Sequence, residues 1–127
     1  MTDCVNRETR TCVFGYGGVH VGYVANTILF EGIKPPVGAG THILDKDNGQ
    51  KVGDWEYTGH VVRIELCSMA EVETLHNLLS EVEANYGGSF EFKGVTLDFT
   101  HYKQISMDIV VRVVLHAKRQ LCFLLAC

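Results

Sequence analysis

The segment from Ser106 to Cys127 constrains this chain more than any other. No Gly or Pro interrupts it, Ser106 reads as an N-cap, and Asp108 falls in the first turn, where the helix dipole favours a carboxylate. A helix of about five turns is expected. On a helical projection, Asp108, Arg112, His116, Arg119 and Gln120 share one narrow stripe. Ile109, Val110, Val111, Val113, Val114, Leu115, Ala117, Leu121, Cys122, Leu124 and Leu125 occupy most of the remaining circumference. An ordinary surface helix has an apolar stripe of roughly 100°, and this arc is about twice as wide. Such a helix needs cover on two sides, by its own sheet and by a second element, most simply a second copy of the chain.

The rest of the chain sets the class. From Thr11 onward the pattern is β: Val19, Val21 and Tyr23 alternate with His20, Gly22 and Val24, and Thr27 to Phe30 is β-branched and apolar. Gly15, Gly17 and Gly18 mark a turn between strands. Residues 33–40, with Pro35, Pro36, Gly38 and Gly40, are expected to form a long exposed loop, because prolines cannot serve a central strand. Asn48-Gly49 marks a hairpin between Thr41–Leu44 and Gln50–Tyr57. Val62, Ile64 and Leu66 alternate with Arg63 and Glu65 as a half-buried strand. Ser68 and Glu71 form a capping box that opens a helix with Val72, Leu75, Leu78, Leu79 and Val82 on its inner face, and Gly87-Gly88 ends it. A two-residue turn at Lys93-Gly94 pairs Phe92 with Val95 and Phe90 with Leu97 on one face. The expected class is α+β: an antiparallel sheet with two helices, in the order β-rich half, helix, hairpin, helix. Residues 11–127 form the single domain, and residues 1–10, which lack periodicity, form a flexible leader.

Composition excludes several classes. The net charge is −4 and the basic residues are scattered, which argues against a nucleic-acid partner. The chain has no apolar run of spanning length and no signal-peptide pattern, so no membrane partner and a cytoplasmic location are expected. Its five cysteines lack CxxC spacing and read as free thiols, and the six histidines show no ligand spacing, so neither metal nor cofactor is expected.

Chemistry-bearing patterns are sparse. The glycines at 15–18 lack the spacing of a phosphate loop, and no helix N-terminus follows them. Asp45, Asp47 and Glu56 fall at calcium-loop positions, but Gln50 stands where the loop needs Gly, and an Asn-Gly hairpin explains the same residues. No nucleophile motif is present, Cys67 and Cys122 sit in apolar contexts, and no catalytic residue is assigned. The arginines remain. Arg63 lies on the outer face of its strand, and Arg112 and Arg119 lie on the polar stripe of the last helix, placed either for a phosphate or for salt bridges to Asp108, Glu65 or a neighbouring subunit. Phe90 and Phe92 are candidates for stacking a base, with core packing as the alternative, and His101 and Tyr102 lie in a loop before the last helix.

The chain also resembles a known family. The residues that carry the likeness are Gly22-Tyr23-Val24 through Thr27-Ile28-Leu29-Phe30 to Lys34-Pro35-Pro36, then Phe90-Glu91-Phe92-Lys93-Gly94 to Phe99-Thr100, and the ending Leu124-Leu125-Ala126-Cys127. In general pattern they resemble the phage anti-defence proteins that sequester the Thoeris immune signal, a cyclic ADP-ribose isomer. The resemblance implies a viral, non-enzymatic sponge in the host cytoplasm. It would be a homo-oligomer holding a small nucleotide-like ligand between protomers, with arginines at the phosphates and an aromatic ring at the base. It raises the interest of Arg63, Phe92, His101, Arg112 and Arg119 without fixing any of them. Two other readings stand beside it: an oligomeric adaptor or inhibitor acting through protein contact and the 33–40 loop, and a small hydrolase or isomerase.

Overall fold

The computed structural model describes residues 3–125. Met1 and Thr2 of the expected leader, and Ala126 and Cys127 of the terminal motif, lie outside the described residues. The strands are β1 (Val5–Asn6), β2 (Thr11–Val13), β3 (Val19–Val24), β4 (Thr27–Lys34), β5 (Glu56–Glu65), β6 (Ser89–Phe92) and β7 (Val95–Asp98). The helices are α1 (Met69–Ala84) and α2 (Gln104–Leu125). The fold is α+β, in the order the sequence implies. Its strands divide into two sheets: β3-β4-β5 is antiparallel, and β1-β2-β7-β6 is mixed, since β2 runs parallel to β7.

Several expectations carry through in detail. The hairpin pairs Phe92 with Val95, Glu91 with Thr96 and Phe90 with Leu97, and positive φ at Lys93 (51°) and Gly94 (80°) suits the two-residue turn. Helix α1 is capped by Ser68, whose hydroxyl accepts the Glu71 amide at 3.2 Å. The Glu71 carboxylate returns the contact one residue further out, accepting the Cys67 amide at 2.7 Å. Val62, Ile64 and Leu66 are buried, while Arg63 and Glu65 are exposed.

Other expectations are corrected. Residues 1–10 are not wholly a leader: Val5 pairs with Cys12 and is fully buried. One buried side chain suffices to dock a two-residue strand, and a single apolar residue leaves no periodicity to read. Residues 33 and 34 belong to β4, the central strand of its sheet, where Ile33 pairs with Tyr57 and Lys34 with Glu56 after a bulge at Gly32. Pro35 holds its predecessor extended, which is compatible with a last strand residue, so the loop starts at the prolines. The Asn-Gly hairpin is reduced to one bridge, Leu44 to Lys51. Helix α2 begins two residues before Ser106, whose hydroxyl donates to the Lys103 carbonyl at 2.8 Å instead of capping.

One core joins both sheets and both helices. Ile28, Phe30, Val62 and Ile64 come from the three-stranded sheet, with Cys12, Val95 and Leu97 from the other. Leu75 and Leu79 come from α1, and Met107, Val110, Val114, Ala117 and Leu121 from α2. Helix α2 packs on α1 as well as on β3 and β4. Much of its wide apolar arc is therefore covered within the chain, and the second cover is first of all α1. Phe92 belongs to this core and is 8% exposed. Its ring is not presented for stacking on a base, which corrects that assignment. Phe92→Ala is expected to cost about 3–5 kcal/mol of stability through the cavity it leaves. Thermal melting should show the loss; an unchanged melting temperature would place the ring outside the core.

A second, smaller core consists of Ile33, Ile43 and Trp55, with Val37 packed against it. It lies beneath the segment that follows the prolines. Among the described residues, no helix is long and apolar enough to cross a membrane. Cys4, Cys12 and Cys67 are free thiols, whereas Cys122 is disulfide-bonded, which corrects the all-thiol expectation for that residue.

Candidate functional site

A cavity of about 460 Å³ opens where two glycine-bearing segments meet helix α2. The Gly15–Gly18 turn links β2 of one sheet to β3 of the other and forms one wall. Residues 37–44 form the facing wall, and Ile105, Ser106, Ile109 and Arg112 of α2 close a third side. The volume falls in the range of small-ligand sites.

Sequence dictates this closeness. The Val37 amide donates to the Gly17 carbonyl at 3.1 Å, and the Ile33 amide to the Gly18 carbonyl at 3.0 Å, so the turn is tied to the end of β4. A Cβ on Gly17 would lie 2.4 Å from backbone atoms of Gly38, and φ there is +79°. A Cβ on Gly40 would lie 2.1 Å from Ile105 Cγ2. The facing loop braces itself, with the Thr41 hydroxyl donating to the Val37 carbonyl at 2.7 Å. Gly17→Ala is expected to separate the two walls, since it meets both a backbone clash and a left-handed φ. A fall of several degrees in melting temperature should accompany it; unaltered stability would mean that the walls are not held in contact.

The electrostatics of the cavity have one sign. Of the described residues lining it, none is Asp or Glu, while Arg112, His20 and His42 can carry positive charge. A shallower groove runs on along α2, lined by Ile109, Arg112, Val113, Leu115, His116 and Arg119, again without a carboxylate. Arg112 borders both. None of Arg63, Arg112 or Arg119 has a carboxylate within ion-pair distance among the described residues, so the bridges to Asp108 or Glu65 weighed from the sequence do not form in the chain. In a chain of net charge −4, two neighbouring depressions whose described lining is only cationic and neutral favour an anionic ligand.

No known family model, curated protein or solved structure matches the chain.

The residues singled out from sequence separate in space. Arg112 and Arg119 share the groove. His101 stands outside both depressions, its ring centroid 4.9 Å from that of Tyr16. Arg63 lies on the outer face of the three-stranded sheet, paired with Leu29, and borders neither depression. His20, His42 and Ser106, which the sequence does not mark as ligand contacts, line the cavity. The alternation that places His20 opposite Val19 and Val21 was legible, but its approach to residues 37–44 was not.

His20 also touches the outer sheet face. Its Nδ1 lies 3.2 Å from the Tyr57 hydroxyl, and Glu31 is its cross-strand partner. Burial pushes the His20 pKa below its ordinary value, and the nearby Glu31 carboxylate opposes that shift in part. Burial, reinforced by Glu31, raises the Tyr57 hydroxyl. His20 thus favours its neutral form, leaving Arg112 as the permanent charge of the cavity.

Other patterns resolve into structure. The Asp45 carboxylate accepts the amides of Asp47 and Asn48 at 2.8 and 3.2 Å, and Glu56 pairs with Lys51 at 2.8 Å, so these acids shape a turn. Among the described residues, no group of three metal-ligating side chains forms. Burial pushes the Cys12 thiol up to about 12. Cys67 is exposed, not apolar core; its thiol donates to Glu65 Oε1 at 3.3 Å, and this bond raises its pKa. Neither is poised as a nucleophile.

Proposed function

We propose that this chain is a non-catalytic, homo-oligomeric binder that sequesters a small anionic, nucleotide-derived signal. The cavity carries the reading: among the described residues its lining holds no carboxylate and its Arg112 has no ion-pair partner. A guanidinium without a carboxylate partner keeps its fork available for two phosphate oxygens. The continuing groove adds His116 within the reach of a ligand longer than one phosphate. The likeness to Thoeris anti-defence sponges narrows the ligand class to a cyclic ADP-ribose isomer, and with it the role to countering a host immune pathway in the host cytoplasm. Exposed Ile105, Leu115, Phe123 and Leu124 on α2 support self-association.

The test is to mix the protein with a cyclic ADP-ribose isomer, remove free ligand, denature by heat and analyse what is released. Intact ligand in near-stoichiometric amount is the expected result. No uptake would overturn the reading in favour of a protein-contact adaptor. A chemically altered product would instead show a hydrolase or isomerase.

A further inference from the structure

The outward face of α2 carries a repeat that its own fold uses only at its start, where Ile105 meets Gly40. Ile105, Asp108, Arg112, Leu115, Arg119 and Cys122 follow one another at alternating spacings of three and four residues, the seam spacing of a coiled coil. Phe123 adjoins the last of them. The seam points away from the core: Ile105 is 56% exposed, Leu115 43% and Phe123 85%, and Asp108, Arg112 and Arg119 are all exposed. The buried residues Met107, Val110, Val114, Ala117 and Leu121 lie on the opposite side of the helix.

Charge selects the partner and its direction. A parallel second copy would set Asp108 against Asp108, Arg112 against Arg112 and Arg119 against Arg119. An antiparallel copy, related by a two-fold axis level with the Val113–Val114 peptide, does the reverse. Asp108 then meets Arg119 of the second copy, Arg112 lays its aliphatic stem along Leu115, and Ile105 meets Cys122 and Phe123. Every contact occurs twice, as an isologous interface requires. Like charges across an interface are costly and opposite ones fix the register.

We propose that α2 pairs antiparallel with α2 of a second copy, in the register that joins Asp108 to Arg119. This deepens the homo-oligomer part of the reading above and rests on it. It also divides the two arginines of the groove. Arg119 is the partner contact, and the copy's helix roofs the groove where Arg112 remains for the ligand.

A charge-swap series tests this without ligand, by light scattering and analytical ultracentrifugation. The unaltered chain should be a dimer. Asp108→Arg alone and Arg119→Asp alone should each weaken self-association at least about tenfold, since each sets two like-charged pairs face to face. An equimolar mixture of the two variants should form a heterodimer, because both pairs then regain opposite charge. The double variant should dimerise with itself for the same reason. Recovery on mixing also shows that each variant is folded, and circular dichroism checks this independently. Dimers unaffected by either single change, or no heterodimer from two folded variants, would overturn the interface while leaving the oligomer. A monomeric unaltered chain would overturn both.

Discussion

Arg112→Ala is expected to lower the affinity for a cyclic ADP-ribose isomer ten- to a hundredfold while leaving the fold intact. Arg112 is exposed, borders both the cavity and the groove, and has no carboxylate partner among the described residues to release when it is removed. Its loss should therefore register on the ligand and not on stability. A charge-assisted hydrogen bond to a phosphate contributes about 1.5–3 kcal/mol, which converts to that range of affinity. Arg112→Lys should recover only part of the loss, because an ammonium cannot make the forked contact. Arg63→Ala serves as the control: Arg63 borders neither depression, so its affinity should equal that of the unaltered chain. Calorimetric titration of the three variants measures all of this. Full affinity in folded Arg112→Ala would place the ligand elsewhere.

How much of this could be read from the sequence depended on the range of the interactions involved. The 89–98 hairpin was legible in register because Lys93-Gly94 fixes the turn and the apolar residues fall opposite one another within four positions. Helix α1 was legible from its cap and its inner stripe. The start of α2 was not, because a serine hydroxyl can serve an amide ahead of it or a carbonyl behind it, and Ser106 does the latter. The cavity was invisible for a stronger reason. Its walls exist only because Gly17 meets Gly38 and Gly40 meets Ile105, contacts between segments that no periodicity links. The glycines themselves were conspicuous, and the sequence explained them correctly as a turn and a loop, yet it held no sign that the two approach each other. The same holds for the width of the α2 apolar arc. It announced a second cover, and only the packing of α1 on α2 shows that most of that cover is internal.

Trp55 is expected to govern the facing wall of the cavity as a unit. It is 1% exposed and lies with Ile33, Ile43 and Val37 in a cluster apart from the main core. Its indole N–H donates to the Val52 carbonyl at 3.0 Å, and its ring meets Tyr57 edge to face at a centroid distance of 4.9 Å. Residues 37–44 have little regular pairing of their own beyond the Leu44–Lys51 bridge, so this cluster and the Val37–Gly17 backbone bond hold them against the Gly15–Gly18 turn. Removing a buried indole costs about 3–5 kcal/mol, more than so small a cluster can lose and still hold its segment closed. In Trp55→Ala, hydrogen exchange and proteolytic cleavage should accelerate sharply between residues 37 and 53. Exchange in α1 and β5 should change far less, since Leu75, Leu79, Val62 and Ile64 belong to the other core. Ligand affinity should fall together with the wall. Trp55→Phe, which keeps most of the volume and loses the indole donor, should retain a large part of the protection. Uniform acceleration over the whole chain would show that the two clusters unfold as one. Undiminished protection at 37–53 would show that the backbone bond from Val37 to Gly17 suffices to hold the wall.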